Sequence, residues 1–195
     1  MSFTEMHRRK QILDTAMEVI IQNGYKQTTI ASVAEKAGVS NGVIFYYFKN
    51  KDELIEQINE ILSEELHNYT DTRVLSQKTP EDRLKTYITS FLDFMRNNRE
   101  KFMLLAELGI NLNPHKTDKV FSNYKEARMR LTDRVNMEDT TYNFGGLSLD
   151  NLWVVTQAML EGIGIQWISD PDSFNFDETR QMVIDMIDTY LKSAA

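Results

Sequence analysis

The sequence predicts an all-α fold of about nine helices, a small N-terminal three-helix domain followed by a larger helical C-terminal domain. Three observations carry this. Apolar residues recur with the 3.6-residue period of an amphipathic helix over most of the chain. Only three prolines and eight glycines occur in 195 residues, which favours long uninterrupted helices over many turns. Where the period breaks, residues that restart helices stand at the break. Thr79-Pro80-Glu81-Asp82 is one case, with a hydroxyl cap, proline in the first helical position and acids in the first turn.

In order along the chain, Thr4 to Gln22 reads as the first helix, with Ile12, Leu13, Ala16, Met17, Ile20 and Ile21 as its apolar stripe. Asn23-Gly24 ends it. Arg8, Arg9 and Lys10 lie in its first turns, where the helix dipole disfavours cations. That placement points to an external anion such as phosphate; the plain alternative is a solvated basic face. Next comes TTIASVAEKAGVSNGVIFYYFKNK, from Thr28 to Lys51. Thr28 or Thr29 can N-cap a short helix whose apolar face is Ile30, Val33, Ala34 and Ala37. Gly38 supplies the left-handed residue that ends it. Ser40 caps a second short helix, with Asn41-Gly42 in its first turn. A glycine inside a helix costs about 1 kcal/mol against alanine, so Gly42 implies a reason such as close approach to a large ligand. Two helices so joined form a helix-turn-helix, whose second helix enters the DNA major groove. In the aromatic run, the three-residue spacing of Phe45 and Phe48 predicts one buried face, with Tyr46 and Tyr47 turned outward.

A long helix runs from Lys51 to about Val74 on Leu54, Ile55, Ile58, Ile61, Leu62, Leu66 and Tyr69. At 1.5 Å per residue it is roughly 35 Å long, enough to leave the N-terminal domain and enter the next. The helix restarted at Thr79 carries Leu84, Tyr87, Ile88, Phe91, Leu92, Phe94 and Met95, and falters at Asn97-Asn98. Arg99 to about Ile110 follows, with Phe102, Met103, Leu105 and Ala106. Another helix is expected from Lys116 to about Met137, with Val120, Phe121, Tyr124, Ala127, Leu131 and Val135 on its apolar side. Glu138 to Ser148 reads as a loop around Gly145-Gly146. Leu149 to Ser169 is apolar nearly all round, the mark of a helix covered on several sides. Asp170-Pro171-Asp172 stops it, and the last helix begins near Asp177.

The stretch from Thr28 to Leu54 resembles the DNA-binding domain of TetR-family transcriptional regulators. The matching frame is Thr29, Ile30, Val33-Ala34, Ala37-Gly38-Val39-Ser40, Gly42, Phe48, Lys51 and Leu54. With the preceding helix it runs from about Met6 to Leu66, roughly a third of the chain. Phe45 departs from it, since the family usually has Tyr there, and a hydroxyl contact to phosphate is lost. The resemblance implies a helix-turn-helix DNA-binding domain over residues 1–50 and a helical effector-binding and dimerisation domain over 51–195. It implies a ligand-responsive regulator, a repressor released from a near-palindromic operator by a small apolar or aromatic effector. An activator or a constitutive regulator is the alternative; an enzyme using the C-terminal cavity is a remote one.

The expected DNA-binding residues are Arg9, Thr28, Thr29, Ser40, Asn41, Gly42, Val43, Tyr46, Tyr47 and Lys51. Asn can pair bidentately with adenine, Val43 can touch a thymine methyl, and the phenols can reach phosphate or bases. Lys51 opens a helix, where a bound phosphate is electrostatically favoured; its family counterpart touches the DNA backbone. Tyr87, Phe91, Met95, Met103, Phe121, Tyr124, Trp153 and Met159 are the expected effector contacts, against the plain reading of a helical core. Met159, Ile163, Trp167, Met182, Met186 and Tyr190 are the expected homodimer contacts, with the last two helices forming a four-helix bundle across the two-fold.

Net charge is −7, unpromising for a DNA reader until its distribution is seen. Residues 1–51 hold seven Lys/Arg against four acids, and the rest fifteen against twenty-five. A basic N-terminal third on an acidic body suits a DNA reader with a separate sensing part. No cysteine is present, so there is no disulfide or thiol chemistry, which fits a cytoplasmic protein. No apolar run reaches the length of about 18 residues needed to span a membrane, and MSFTEMHRRKQ does not read as a signal peptide. His7, His67 and His115 sit on separate elements without ligand spacing, so no metal site is expected. No phosphate-cradling glycine loop or nucleophile–base motif is present, so no catalytic residue and no cofactor is expected.

Overall fold

The computed structural model describes residues 2–111, 129, 133–135 and 148–193. Among them eight helices form and no strand. They are α1 (Phe3–Asn23), α2 (Ile30–Ala37), α3 (Asn41–Tyr47), α4 (Lys51–Val74), α5 (Pro80–Asn97), α6 (Arg99–Asn111), α7 (Leu149–Ser169) and α8 (Phe176–Ser193). The helix expected from Lys116 to Met137 lies mostly outside the described residues; Met129 and Asp133 to Val135 are helical within it.

Helix starts follow local chemistry. Ser2 and Glu5 form a reciprocal capping box on α1, and Thr29 and Ser32 do the same on α2. Ser40, Thr79 and Ser148 cap α3, α5 and α7 through their hydroxyls. Gly38 closes α2 at φ 65°, in the left-handed region only glycine enters cheaply.

Packing divides the chain into two units, Met1–Glu64 with Glu100–Leu112, and Glu65–Arg99 with Asn113–Ala195. A division at residue 50 follows the loop; the packing division falls inside α4 and at the start of α6. The cause is the first unit's core. It joins Ile12, Leu13, Ala16, Val19 and Ile20 of α1 to Val33, Ala34, Ile44 and Phe48, and to Leu54, Ile55, Ile58 and Leu62 of α4. Leu104 and Leu108 of α6 complete it. Full burial of each Leu or Ile contributes roughly 1.5–3 kcal/mol, so α6 is a substantial member of this unit. Ile21, placed in the apolar stripe of α1 by its spacing, is 43% exposed, and Val19 is buried instead.

In the second unit α5 packs on α7 and α8. Leu84, Ile88, Phe91, Leu92, Phe94 and Met95 of α5 are buried, as are Leu152, Trp153 and Leu160 of α7 and Val183 and Ile187 of α8. Arg180 grips Asp93 through two nitrogens, at 2.9 and 3.2 Å, and Lys85 pairs with Asp188. No helix among the described residues is long and apolar enough to cross a membrane.

Candidate nucleic-acid interface

The turn after α2 is tied back on itself, Gly38 N–H to the Glu35 carbonyl at 3.1 Å and Val39 N–H to Ala34 at 3.0 Å. It hands the chain to α3 with Val39 leaning on the core. Ser40, Asn41 and Gly42 at the start of α3 are exposed, and so is Tyr46; Val43 and Tyr47 are half-buried against the core. An exposed N-terminal edge on the second helix of a helix-turn-helix is the part that meets base edges. A methyl group on Gly42 would meet Ser40 Oγ at 3.6 Å and nothing closer. Nothing inside the unit therefore demands a glycine there.

The aromatic run is arranged differently from its spacing. Ile44 and Phe48 are buried, while Phe45 is 51% exposed. The three-residue rule fails because α3 stops at Tyr47 and Phe48 turns back in extended backbone, φ −139°. Phe48 fills the core beneath the Arg9 guanidinium, 5.3 Å from its ring centroid. Tyr46 and Tyr47 meet edge to face at 4.9 Å. The Tyr46 hydroxyl donates to Glu5 Oε1 at 3.0 Å, fastening the end of α3 to the start of α1. The Ser2 backbone N–H, then the Tyr46 and Ser2 hydroxyls, hold the Glu5 carboxyl below its ordinary range. The same bond and the carboxylate's charge raise the Tyr46 phenol.

Three expected contacts are used internally. Thr28 is buried and its hydroxyl donates to the Gly24 carbonyl at 2.9 Å, so Thr29 is the cap and Thr28 does not face out. Thr29 is exposed, but its hydroxyl serves Ser32. Lys51 is half-buried; Nζ donates to the Tyr25 carbonyl at 2.7 Å and lies 4.3 Å from the Tyr25 ring centroid. Desolvation lowers its pKa, with Asp52 acting the other way. Lys51 thus holds the turn between α1 and α2. Arg8 is taken by Gln11 at 2.7 Å and Lys10 by Asp14 at 2.6 Å. Lys26 and Lys49 are exposed, and among the described residues neither ammonium makes an ion pair. Both flank the helix-turn-helix, and flanking exposed lysines were the signal that motif reading passed over.

The other candidates lie apart from this face. Phe91, Met95 and Trp153 are buried in the second unit, and Tyr87 and Met159 are half-buried. Tyr87 donates to Gln157 Oε1 at 3.1 Å. Met103 is 37% exposed and sits on α6 in the first unit. Phe121 and Tyr124 lie outside the described residues. Met182 and Met186 are 62% and 55% exposed, and with Tyr190 they line a shallow depression along α8. Trp167 is half-buried, its ring 5.0 Å from Phe176 and beneath the Arg99 guanidinium, and Ile163 is half-buried too. The apolar residues that α7 leaves open are instead Val154, Val155 and Ile165. Among the described residues no three His, Asp or Glu side chains are grouped to hold a metal ion.

Residues 12–58 match the family described as bacterial regulatory proteins, tetR family. The HTH-type transcriptional regulator BetI of Burkholderia ambifaria is 34% identical over 87 residues, 44% of this chain and 45% of that one. BetI of Serratia proteamaculans is 35% identical over 88 residues, 44% of each chain. The match thus spans less than half the length of these relatives. Among solved structures, a TetR-family transcriptional regulator from Rhodococcus sp. covers 95% of this chain and 99% of its own at TM-score 0.78 and 22% identity. FadR from Bacillus subtilis, in complex with stearoyl-CoA, covers 91% of this chain and 96% of its own at TM-score 0.75 and 19% identity. At these identities the likeness is one of fold.

Proposed function

Because the chain belongs to the TetR family of bacterial regulatory proteins by its N-terminal domain, we propose that it is a ligand-responsive DNA-binding transcriptional regulator. In the narrower form it is a cytoplasmic homodimeric repressor on a near-palindromic operator, released by a small apolar or aromatic effector, and it is not an enzyme. The observation that carries this is the exposed start of α3, Ser40-Asn41-Gly42, with Tyr46 exposed at its other end. Asn41 would read a base edge, the backbone at Gly42 would approach the duplex, and Lys26 and Lys49 would meet phosphate.

Two further features support the narrower form. Val154, Val155, Ile165, Met182 and Met186 leave apolar surface open on the last two helices, as a two-fold partner would require. The second unit buries Phe91, Met95 and Trp153 and half-buries Tyr87, the lining an apolar effector would meet. FadR of Bacillus subtilis, which shares the fold, was solved in complex with stearoyl-CoA, a molecule with a long apolar part. The test is footprinting of the DNA flanking the protein's own gene with the purified chain. A protected near-palindrome is expected; no protected site at low salt would overturn the reading.

A further inference from the structure

One face of α7 is buried along Leu152, Trp153, Thr156 and Leu160. Thr156 has no exposed surface, yet its hydroxyl has no hydrogen-bond partner. One turn earlier, Nε1 of Trp153 is likewise buried and unpaired. Residues three apart on a helix share a face, so the two groups open on the same side of α7. Their polar neighbours do not serve them: Tyr87 donates to Gln157 Oε1 at 3.1 Å, and Gln157 Nε2 donates to Glu161 Oε1 at 2.9 Å. Unpaired buried polar groups are few in native interiors, and each calls for a reason. Valine would fill the place of Thr156 without leaving a hydroxyl stranded, so packing alone does not account for it.

The chemistry of the missing partner follows from what is offered. An indole N–H can only donate, and a hydroxyl donates as well, so the partner is an acceptor. Burial first, then the two acidic groups Glu161 and Asp71, push the phenol of neighbouring Tyr87 well above the usual range. Asp71 is itself paired with Arg134 Nε at 3.2 Å. An anionic acceptor is disfavoured beside these carboxylates, and a neutral carbonyl is not. On α5, which packs on α7, the buried Phe91 and Met95 offer apolar surface.

We propose that Trp153 Nε1 and Thr156 Oγ1 are the polar end of the second unit's ligand site, which takes an apolar molecule through a neutral carbonyl oxygen. This rests on the reading of the second unit as effector-binding. The test uses the full chain and three probes of similar size: valerophenone, a neutral ketone; pentylbenzene, which has no acceptor; and 4-butylbenzoate, an anion. Calorimetric titration should give the ketone about tenfold or more over the other two. Thr156→Val should lower ketone affinity about tenfold, leave pentylbenzene unchanged, and raise the melting temperature of the free protein, because it removes an unpaired hydroxyl. Trp153→Phe should weaken the ketone selectively as well. Equal affinity for ketone and hydrocarbon overturns the proposal, as does tightest binding of the carboxylate. A Thr156→Val protein that melts lower and keeps its ketone preference overturns it too, by showing a hydroxyl satisfied within the fold. Failure of all three probes to bind overturns the effector reading along with it.

Discussion

Gly42→Ala separates a glycine needed by the fold from one needed by a ligand. Gly42 lies in the first turn of α3, is exposed, and does not have the positive φ that marks Gly24 and Gly38. An added methyl group would find Ser40 Oγ at 3.6 Å, an ordinary contact, and no closer atom. Alanine should therefore fit, and a Gly→Ala change at a compatible site stabilises by about 0.4–1 kcal/mol. For a chain of this size that raises the melting temperature by roughly 1–4 °C. On DNA the sign reverses. If the backbone at Gly42 approaches the duplex, the methyl group holds it off, and affinity should fall about tenfold, or about 1.4 kcal/mol. Circular dichroism melts give the first quantity, and fluorescence anisotropy with the footprinted site at one fixed salt concentration gives the second. A variant that melts higher and binds equally well would refute close approach. One that melts lower would refute the open space.

Lys49→Ala should weaken binding to all DNA alike and flatten the dependence of log K on log salt by about one unit, whereas Lys51→Ala should leave that slope nearly unchanged. Its main effect should be a loss of about 1 kcal/mol in denaturant unfolding, a charged hydrogen bond discounted for half-exposure. Glu5→Gln should free the Tyr46 phenol and remove a negative charge from the DNA face, so anisotropy should show tighter binding. Glu5 has a folded pKa below its unfolded one, so its stabilising contribution is present above the unfolded value and lost as pH falls through the folded value. Melts should therefore show wild type above Glu5→Gln at neutral pH and the gap closing in acid. Met186→Asp places a charge on an exposed side chain, so the fold should hold while sedimentation shows monomers and palindrome binding collapses.

The helix ends were legible because they are local. Thr79-Pro80, Ser40 and Gly38 act on backbone groups three or four residues away, and such signals survive in any tertiary setting. Faces were less legible. Spacing put Phe45 with Phe48, but α3 is too short to carry the rule past Tyr47, and Ile44 takes the inner place. Lys51 looked like a phosphate ligand because its partner, the Tyr25 carbonyl, is 26 residues away. On α7 the apolar residues lie nearly all round, so nothing local distinguishes Val154 and Val155, which stay open, from Leu152 and Leu160, which do not. The unit to which α6 belongs was not legible for the deepest reason: no periodicity within α6 says that the helix packs with residues 82 positions earlier.

That last relation bears on how a signal would travel. The sequence offers α4 as the one element long enough to serve both units, yet the packing division also cuts α6 at its first residue. Arg99 lies over Trp167 in the second unit, with its Nε buried and unpaired. Further along, Leu104 and Leu108 enter the core of the first unit, and Glu107 Oε1 accepts the Tyr25 N–H at 2.7 Å. Lys51, the first residue of α4, holds the Tyr25 carbonyl at 2.7 Å. One residue in the turn before the helix-turn-helix is therefore gripped on its N–H side by α6 and on its carbonyl side by α4. A proposed effector need not move the DNA-reading helix directly; a preference for one setting of either long helix would bias this turn. Such a preference need amount to only about 1–3 kcal/mol, and by linkage operator DNA must then weaken the effector by the same factor. With two helices meeting at Tyr25, loss of either grip should reduce that mutual factor in effector calorimetry with and without operator while each ligand still binds alone; were α4 the sole connection, Glu107→Ala would leave the factor unchanged.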